Sequence, residues 1–312
     1  MTPSQWPAPQ RCVAEVDGIP MSGLLAEAAD PRAVVVAIHG GATTSAYYDC
    51  PGHPELSLVR LGAALGYTVI ALDRPGFGAS AAHAEQMTDS GRRVELAFAA
   101  VDGILGSRSR GAGLFLLGHS NGSELTIRMA AADSNLLGAE TSGTGRRNQP
   151  AAHAVLSRPT LGDVRRGVRE LLWDATHLYP DDVIGGMQSS SPAYEGAIVA
   201  NWPRRDFPAL AAQVQIPVRF TLAEHEPFWE NGPAGLADVA AMFTASPRVV
   251  INEQRDSGHN LSLGLTATSY HLGVLAFVEE CVAFSRRADA KAPISSRNEG
   301  LLRLLAPEGE AS

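Results

Sequence analysis

An apolar run, Leu114-Phe115-Leu116-Leu117, leads straight into Gly118-His119-Ser120-Asn121-Gly122, and a stretch with helical spacing follows to about Ala132. A Gly-x-Ser-x-Gly pattern between strand and helix marks a sharp turn, a nucleophile elbow, that forces the Ser backbone into a strained conformation. Gly is needed on both sides because a side chain there would strike the neighbouring strand and helix. The turn lifts the Ser120 hydroxyl out of the sheet, and the helix N-terminus beneath it favours developing negative charge.

The rest of the chain supplies strands and helices in alternation. Arg11 to Val16 and Met21 to Glu27 alternate around Asp17-Gly18-Ile19-Pro20, which reads as an antiparallel hairpin. Residues 33–38 and 68–72 are continuous apolar runs rich in β-branched side chains, as expected of strands buried on both faces. Helical spacing covers 56–65 and 88–106, the latter with Thr88, Asp89 and Ser90 as capping side chains. Leu136 to Thr141 reads as a sixth strand. The stretch 146–206 then breaks the alternation, with a helix near Leu161 to Leu172, and looks like a cap over a site. Alternation resumes with a strand at 216–222, a helix at 235–243, a strand at 248–251 and a helix at about 270–284. The expected architecture is α/β: a mostly parallel, doubly wound sheet with an N-terminal antiparallel hairpin and a helical cap inserted after strand 6. Residues 11–145 and 207–286 form the core, 146–206 the cap and 287–312 a mobile C-terminal tail.

Composition excludes several function classes. The 312 residues carry a net charge of −8, which argues against nucleic acid as a partner. Three scattered cysteines, Cys12, Cys50 and Cys281, suit neither a disulfide framework nor a zinc site. His53, His83, His153, His177 and His271 show no metal-ligand spacing, so no metal is expected. No apolar stretch reaches the length of a membrane span, and the N-terminus lacks a secretion pattern. A cytoplasmic protein without a membrane partner is therefore expected. Gly76-Phe77-Gly78 hints at a dinucleotide loop, but that motif must open a helix at once and no helical pattern starts there.

A serine nucleophile needs a base, and the base needs an orienting carboxylate. His259, in Asp256-Ser257-Gly258-His259-Asn260 after the last strand, is the candidate base. For the acid, Ala223-Glu224-His225-Glu226-Pro227 follows a strand end, and Glu226 is preferred; Glu224 and Glu140 are the alternatives. Acyl transfer also needs two backbone N–H donors for the oxyanion. Asn121, next after Ser120, and Gly41, in the His39-Gly40-Gly41 loop after the third strand, are the candidates.

Taken together, His39-Gly40-Gly41, Asp73-Arg74-Pro75-Gly76-Phe77-Gly78-Ala79-Ser80, Gly118-His119-Ser120-Asn121-Gly122, Glu224-His225-Glu226-Pro227 and Ser257-Gly258-His259 resemble the α/β-hydrolase family over roughly residues 11–285. The resemblance implies Ser120, His259 and Glu226 as catalytic residues and a structural turn at Asp73. It departs from the commoner family pattern in one place, having Glu rather than Asp at the acid position. It implies an esterase or thioesterase acting on a small-molecule acyl substrate without a cofactor. Acyltransferases and lyases of natural-product tailoring share the fold, as does a binding protein that has lost catalysis, so these stay open. Trp173, Tyr179, Met187, Tyr194 and Trp202 in the cap point to an apolar, bulky substrate, with Trp173 and Trp202 as the expected contacts. Abundant Ala, Gly and Arg with little Lys are compatible with a bacterial enzyme of secondary metabolism.

Overall fold

The computed structural model describes residues 2–186 and 189–291. Its frame is one sheet of eight strands: β1 (Gln10–Val16), β2 (Ile19–Ala26), β3 (Val34–Ile38), β4 (Thr68–Leu72), β5 (Leu114–His119), β6 (Gly138–Ser142), β7 (Val218–His225) and β8 (Val249–Gly258), in the spatial order β1-β2-β4-β3-β5-β6-β7-β8. β1 pairs antiparallel with β2, and β2 antiparallel with β4; every other pairing is parallel. The hairpin turn is tighter than the sequence implies. Val16 pairs with Ile19, leaving Asp17 and Gly18, both at positive φ, as a two-residue turn whose twist matches the strands.

Period-two alternation divides the strand side chains between two cores. Val34, Val36, Ile38, Ile70, Leu72 and Leu116 face one; Val35, Ala37, Val69, Ala71, Phe115 and Leu117 face the other. Helices α2 (Ser90–Leu105) and α3 (Asn121–Ala132) cover the first face through residues such as Leu96, Val101, Leu125 and Ile127. Helices α1 (Leu58–Ala64) and α9 (Ala267–Lys291) cover the second through Val59, Leu61, Val274 and Val278. Covering both faces is what allows central strands with no polar alternation. Asp89 caps α2, its carboxylate accepting from Arg92 N–H at 2.7 Å.

Between β6 and β7 lie α4 (Pro150–Leu156), α5 (Leu161–Leu172), α6 (Tyr194–Asn201), a π-helical turn over Trp202–Asp206, and α7 (Phe207–Ala211). α8 (Gly232–Ala240) follows β7. Of these helices only α5 was legible from sequence; α4, the π turn and α7 are short and open on Pro150, Pro203 and Pro208, which read as breakers. β8 runs seven residues further than the stretch expected from sequence, to Gly258. Its outer part, Asn252-Glu253-Gln254-Arg255-Asp256, is a polar edge strand without an apolar signal. The last helix extends to Lys291; the remainder of the expected tail, 292–312, and Met187 lie outside the described residues.

Burial pushes the imidazoles of three histidines, His39, His119 and His271, below their ordinary range, His271 to about 3. These rings stay neutral in the fold but ionise near pH 6.5 once the chain unfolds. The unfolded state then binds more protons, so stability falls as the pH drops from about 6.5 towards 3. His271 contacts Ser262 Oγ at 3.0 Å and is remote from the elbow in sequence. His271→Gln is expected to be less stable than wild type at pH 8, with the gap narrowing as the pH falls. Urea midpoints measured between pH 8 and pH 4 test this; a constant gap would contradict it.

Candidate active site

The site assembles at the C-terminal ends of the parallel strands, where loops of an open α/β sheet meet. Ser120 lies between β5 and α3 with φ 52° and ψ −123°. A Cβ at Gly122 would be driven into the carbonyl oxygens of Ile38 and His39, and one at Gly118 into the Thr126 side chain. Both glycines are thus fixed by close approach of backbone and side chain, as the motif requires. The Ser120 backbone N–H donates to Ser142 O at 2.7 Å, tying the elbow to the neighbouring strand end.

Glu226 and His259 are each the first residue after paired strand ends, since His225 of β7 aligns with Gly258 of β8. That register sets their side chains side by side. His259 Nδ1 is 3.0 Å from both oxygens of Glu226, and both side chains are buried. Glu226 Oε1 also accepts the Phe228 N–H at 3.0 Å, which orients the carboxylate. With Nδ1 donating to Glu226, the ring presents Nε2 as an acceptor, and that atom is buried without a hydrogen-bond partner among the described residues. The other two acid candidates are engaged elsewhere. Glu224 is held by Arg255 and by the Asp256 N–H at 2.9 Å; that backbone hydrogen bond, then Arg255, lowers its pKa. Glu140 is buried in β6 against Arg219 Nη1 at 3.0 Å and the Tyr270 hydroxyl at 3.2 Å. Burial raises its pKa, with Arg219 opposing.

The cleft at Ser120 is bounded by Gly40, Gly41, Thr43, Tyr47, His119, Ser120, Leu172, His259 and Asn260, and encloses only about 20 Å³, room for little more than one water. The loop after β3 packs directly on the elbow: a Cβ on Gly40 would lie 3.1 Å from Ser120 Cβ, and one on Gly41 2.9 Å from Asn121 Nδ2. Asp73 takes no part; it accepts from Ser22 Oγ at 2.6 Å and Ser45 N–H at 2.7 Å and so fixes the loop.

Neither Trp173 nor Trp202 bounds this cleft. Trp173 packs edge-on against Tyr179, and Trp202 is stacked on Phe207 with its Nε1–H donated to Thr144 Oγ1 at 2.8 Å. Residue Leu172, one position before Trp173, reaches the cleft instead. His119 is the neighbour that sequence reasoning passed over, although it lies inside the motif. Its ring stacks on Tyr47 at 4.7 Å, lies 5.0 Å from the His259 ring, and bonds Ser142 Oγ through Nδ1 at 3.2 Å. Burial, with His259 and then His39 adding to it, keeps it neutral. Gly143, at φ 60°, permits this packing, because a Cβ there would meet both rings. Among the described residues no group of three or more His, Cys, Asp or Glu could hold a metal ion, and no helix is long and apolar enough to cross a membrane.

Residues 29–163, under half the chain, match the family model described as Serine aminopeptidase, S33, a stretch that includes the elbow and stops before Glu226 and His259. No curated protein matches by sequence. Solved structures are similar in fold. A membrane phospholipase A described as a bacterial virulence factor is 16% identical with a TM-score of 0.64, over 87% of each chain. A mutant of the N-acyl homoserine lactonase AidH, complexed with N-hexanoyl homoserine, is 16% identical with a TM-score of 0.63, over 88% of this chain and 97% of its own. The esterase RhEst1 from Rhodococcus sp. ECU1013 is 18% identical with a TM-score of 0.61, over 87% of this chain and 98% of its own. The sheet order, the elbow and these likenesses define an α/β-hydrolase fold.

Because Gly122 has no space for a methyl group, Gly122→Ala is expected to cost about 1–3 kcal/mol in stability. The substitution should also displace Ser120. A lowered Tm accompanied by slower labelling of Ser120 by a fluorophosphonate is the expected pair of results.

Proposed function

We propose that this protein is a serine hydrolase that cleaves an ester or thioester of a small to medium apolar acyl substrate through an acyl-enzyme. The observation that carries this is the buried Glu226–His259 pair, which leaves His259 Nε2 without a partner in the same cleft as Ser120 at its strained elbow. In this reading His259 Nε2 takes the Ser120 Oγ proton as Oγ bonds to the substrate carbonyl carbon. Glu226 stabilises the imidazolium that forms, and the N–H groups of Gly41 and Asn121 receive the oxyanion. The tetrahedral adduct collapses, the C–O or C–S bond breaks, and His259 gives its proton to the departing alcohol or thiol. Water then repeats the sequence on the acyl-enzyme and frees Ser120. Glu226 does the work more often done by Asp, its extra methylene spanned because the two residues follow directly on paired strand ends. No cofactor enters these steps.

Residues 146–206 act in this proposal as a cap. Leu172, at the end of α5, bounds the cleft, and its carbonyl accepts from Asn260 Nδ2 at 2.8 Å, beside His259. Ser189 N–H and Ser191 Oγ bond to the backbone of Ala42 in the loop opposite.

A fluorophosphonate probe should label wild type at Ser120 and leave Ser120→Ala unmodified. With p-nitrophenyl butyrate, Ser120→Ala is expected to lower kcat by roughly 10³-fold or more. Glu226→Gln should bring a loss on the order of 10³-fold as well, because the neutral amide no longer holds the imidazolium or its tautomer. Glu224→Gln should change kcat by less than about twofold, as expected for an exposed ion pair. Unlabelled wild type, or a Glu226→Gln variant of full activity, would overturn the assignment.

A further inference from the structure

One peptide unit, joining Gly40 to Gly41, carries two functions. Its carbonyl oxygen, on Gly40, accepts from Arg74 Nη2 at 2.8 Å and from His39 Nδ1 at 2.8 Å. The second of these is fixed by the tautomer: His39 Nε2 accepts the Arg74 backbone N–H at 3.1 Å, so the ring proton sits on Nδ1. A trans peptide holds C=O and N–H antiparallel in one plane, so two donors on the oxygen turn the Gly41 N–H the opposite way. The loop packs there on Ser120 and Asn121, to within 3.1 Å and 2.9 Å of positions a Cβ would take. Two donors on the oxygen also polarise the peptide and strengthen its N–H as a donor.

Arg74 is itself buried and is held by Glu195 of α6, an ion pair in which the same Nη2 serves both Glu195 and Gly40 O. The other oxygen of Glu195 would lie 3.5 Å from a Cβ on Gly41. The next residue back, Tyr194, donates its hydroxyl to Pro75 O at 2.7 Å, and the Arg74 guanidinium lies 4.4 Å above the Phe77 ring. α6 is therefore fastened to the loop that carries the candidate oxyanion donor, not only laid across it.

We propose that Arg74 and Glu195 are positioning residues of the oxyanion hole: Arg74 fixes the Gly40–Gly41 peptide with its N–H towards the reacting carbonyl oxygen, Glu195 fixes Arg74, and the hole is complete only with α6 seated. This rests on the reading of Ser120 as the acylated nucleophile. Neither residue touches the reacting atoms. Both act through the Gly41 N–H, whose partner develops full negative charge only in the tetrahedral adduct. Their removal should therefore weaken binding of the transition state and spare that of the substrate.

Arg74→Met alone would leave the Glu195 carboxylate uncompensated beside Gly41, so the test uses the double variant Arg74→Met/Glu195→Gln, with Glu195→Gln as a milder companion. Circular dichroism and Tm establish folding. Kinetics on p-nitrophenyl butyrate give kcat and KM, and inhibition by a trifluoromethyl ketone, which forms a tetrahedral adduct with Ser120, reports the hole directly. The folded double variant is expected to keep KM within about threefold while kcat falls about 10²-fold, the scale of losing one oxyanion donor. Ketone affinity should weaken in parallel, and Glu195→Gln should show a smaller loss in the same two quantities. If the double variant does not fold, parallel losses in Glu195→Gln support the proposal and their absence overturns it. Unchanged kcat and ketone affinity in a folded double variant overturn it while leaving Ser120 as nucleophile. Wild type that takes neither the fluorophosphonate nor the ketone overturns the underlying reading, and this one with it.

Discussion

Ser120 is held at φ 52°, and a non-glycine residue in such a conformation costs on the order of 1–3 kcal/mol. Nothing local to the residue supplies that. The surrounding structure over-determines it: β5 arrives paired on both sides, α3 departs at once, and the backbone of Ile38 and His39 closes on Gly122 from the next strand. The hydrogen bond from Ser120 N–H to Ser142 O adds a tie to β6. The sheet must be parallel at this point, because only then do β3, β5 and β6 bring their C-terminal ends, and the loops that follow, to one edge. The cleft residues Gly40, Ser120 and, from further along the sheet, His259 all follow strand ends at that edge.

The same edge gives different surroundings to carboxylates that look alike in sequence. Glu224 and Glu226 lie at the end of β7 and Glu140 in the middle of β6, and residue type alone cannot rank them. Parity and register do. Glu140 is buried, paired with Arg219 and accepting from the Tyr270 hydroxyl, and a buried carboxylate without such partners would be untenable. Two-residue spacing would put Glu224 and Glu226 on one face of a regular strand, but β7 bulges between Ala223 and His225 and ends at His225. Glu224 is left beside Arg255 and the Asp256 N–H, while Glu226 turns inward to His259. A bulge of this kind has no sequence signature in a polar stretch, which is why the choice could be favoured from the chain order but needed the register to be argued.

Much of the frame was legible because buried parallel strands write continuous apolar runs. Residues 33–38, 68–72 and 114–117 could be read on sight, as could Ser120 as an elbow and a hairpin turn opening at Asp17, though not its two-residue length. The parts that were not legible share a cause: their conformation depends on distant partners. The outer half of β8 carries no apolar run that could be read as a strand. The Trp173 and Trp202 expectation failed to locate the cleft because an aromatic side chain in an insertion can equally well anchor that insertion, and Trp202 does so by stacking on Phe207 and bonding Thr144. His119 carries a motif position whose identity the elbow does not dictate; only the stack on Tyr47 and the proximity of His259 give it meaning.

Residues 194–206 are joined to the core by ion pairs as well as by apolar packing. Arg74 meets Glu195, and Glu124 of α3 meets Arg93 and Arg128, with Arg128 extending to Asp206 at 3.1 Å. Such pairs are costly to assemble, and removing one partner of a buried pair typically costs about 3–5 kcal/mol because a charge is left uncompensated. Apolar contact alone would let α6 and the π turn slide over the core at little cost. Ion pairs with directional hydrogen bonds admit far fewer arrangements for this segment, whose Glu195 lies beside Gly41. The Arg74 side chain joins that segment to the Gly40 carbonyl, and through one planar peptide to the N–H of Gly41. Geometry at the elbow is thereby set from two directions: from the sheet, through strand register, and from that segment, through a single buried guanidinium.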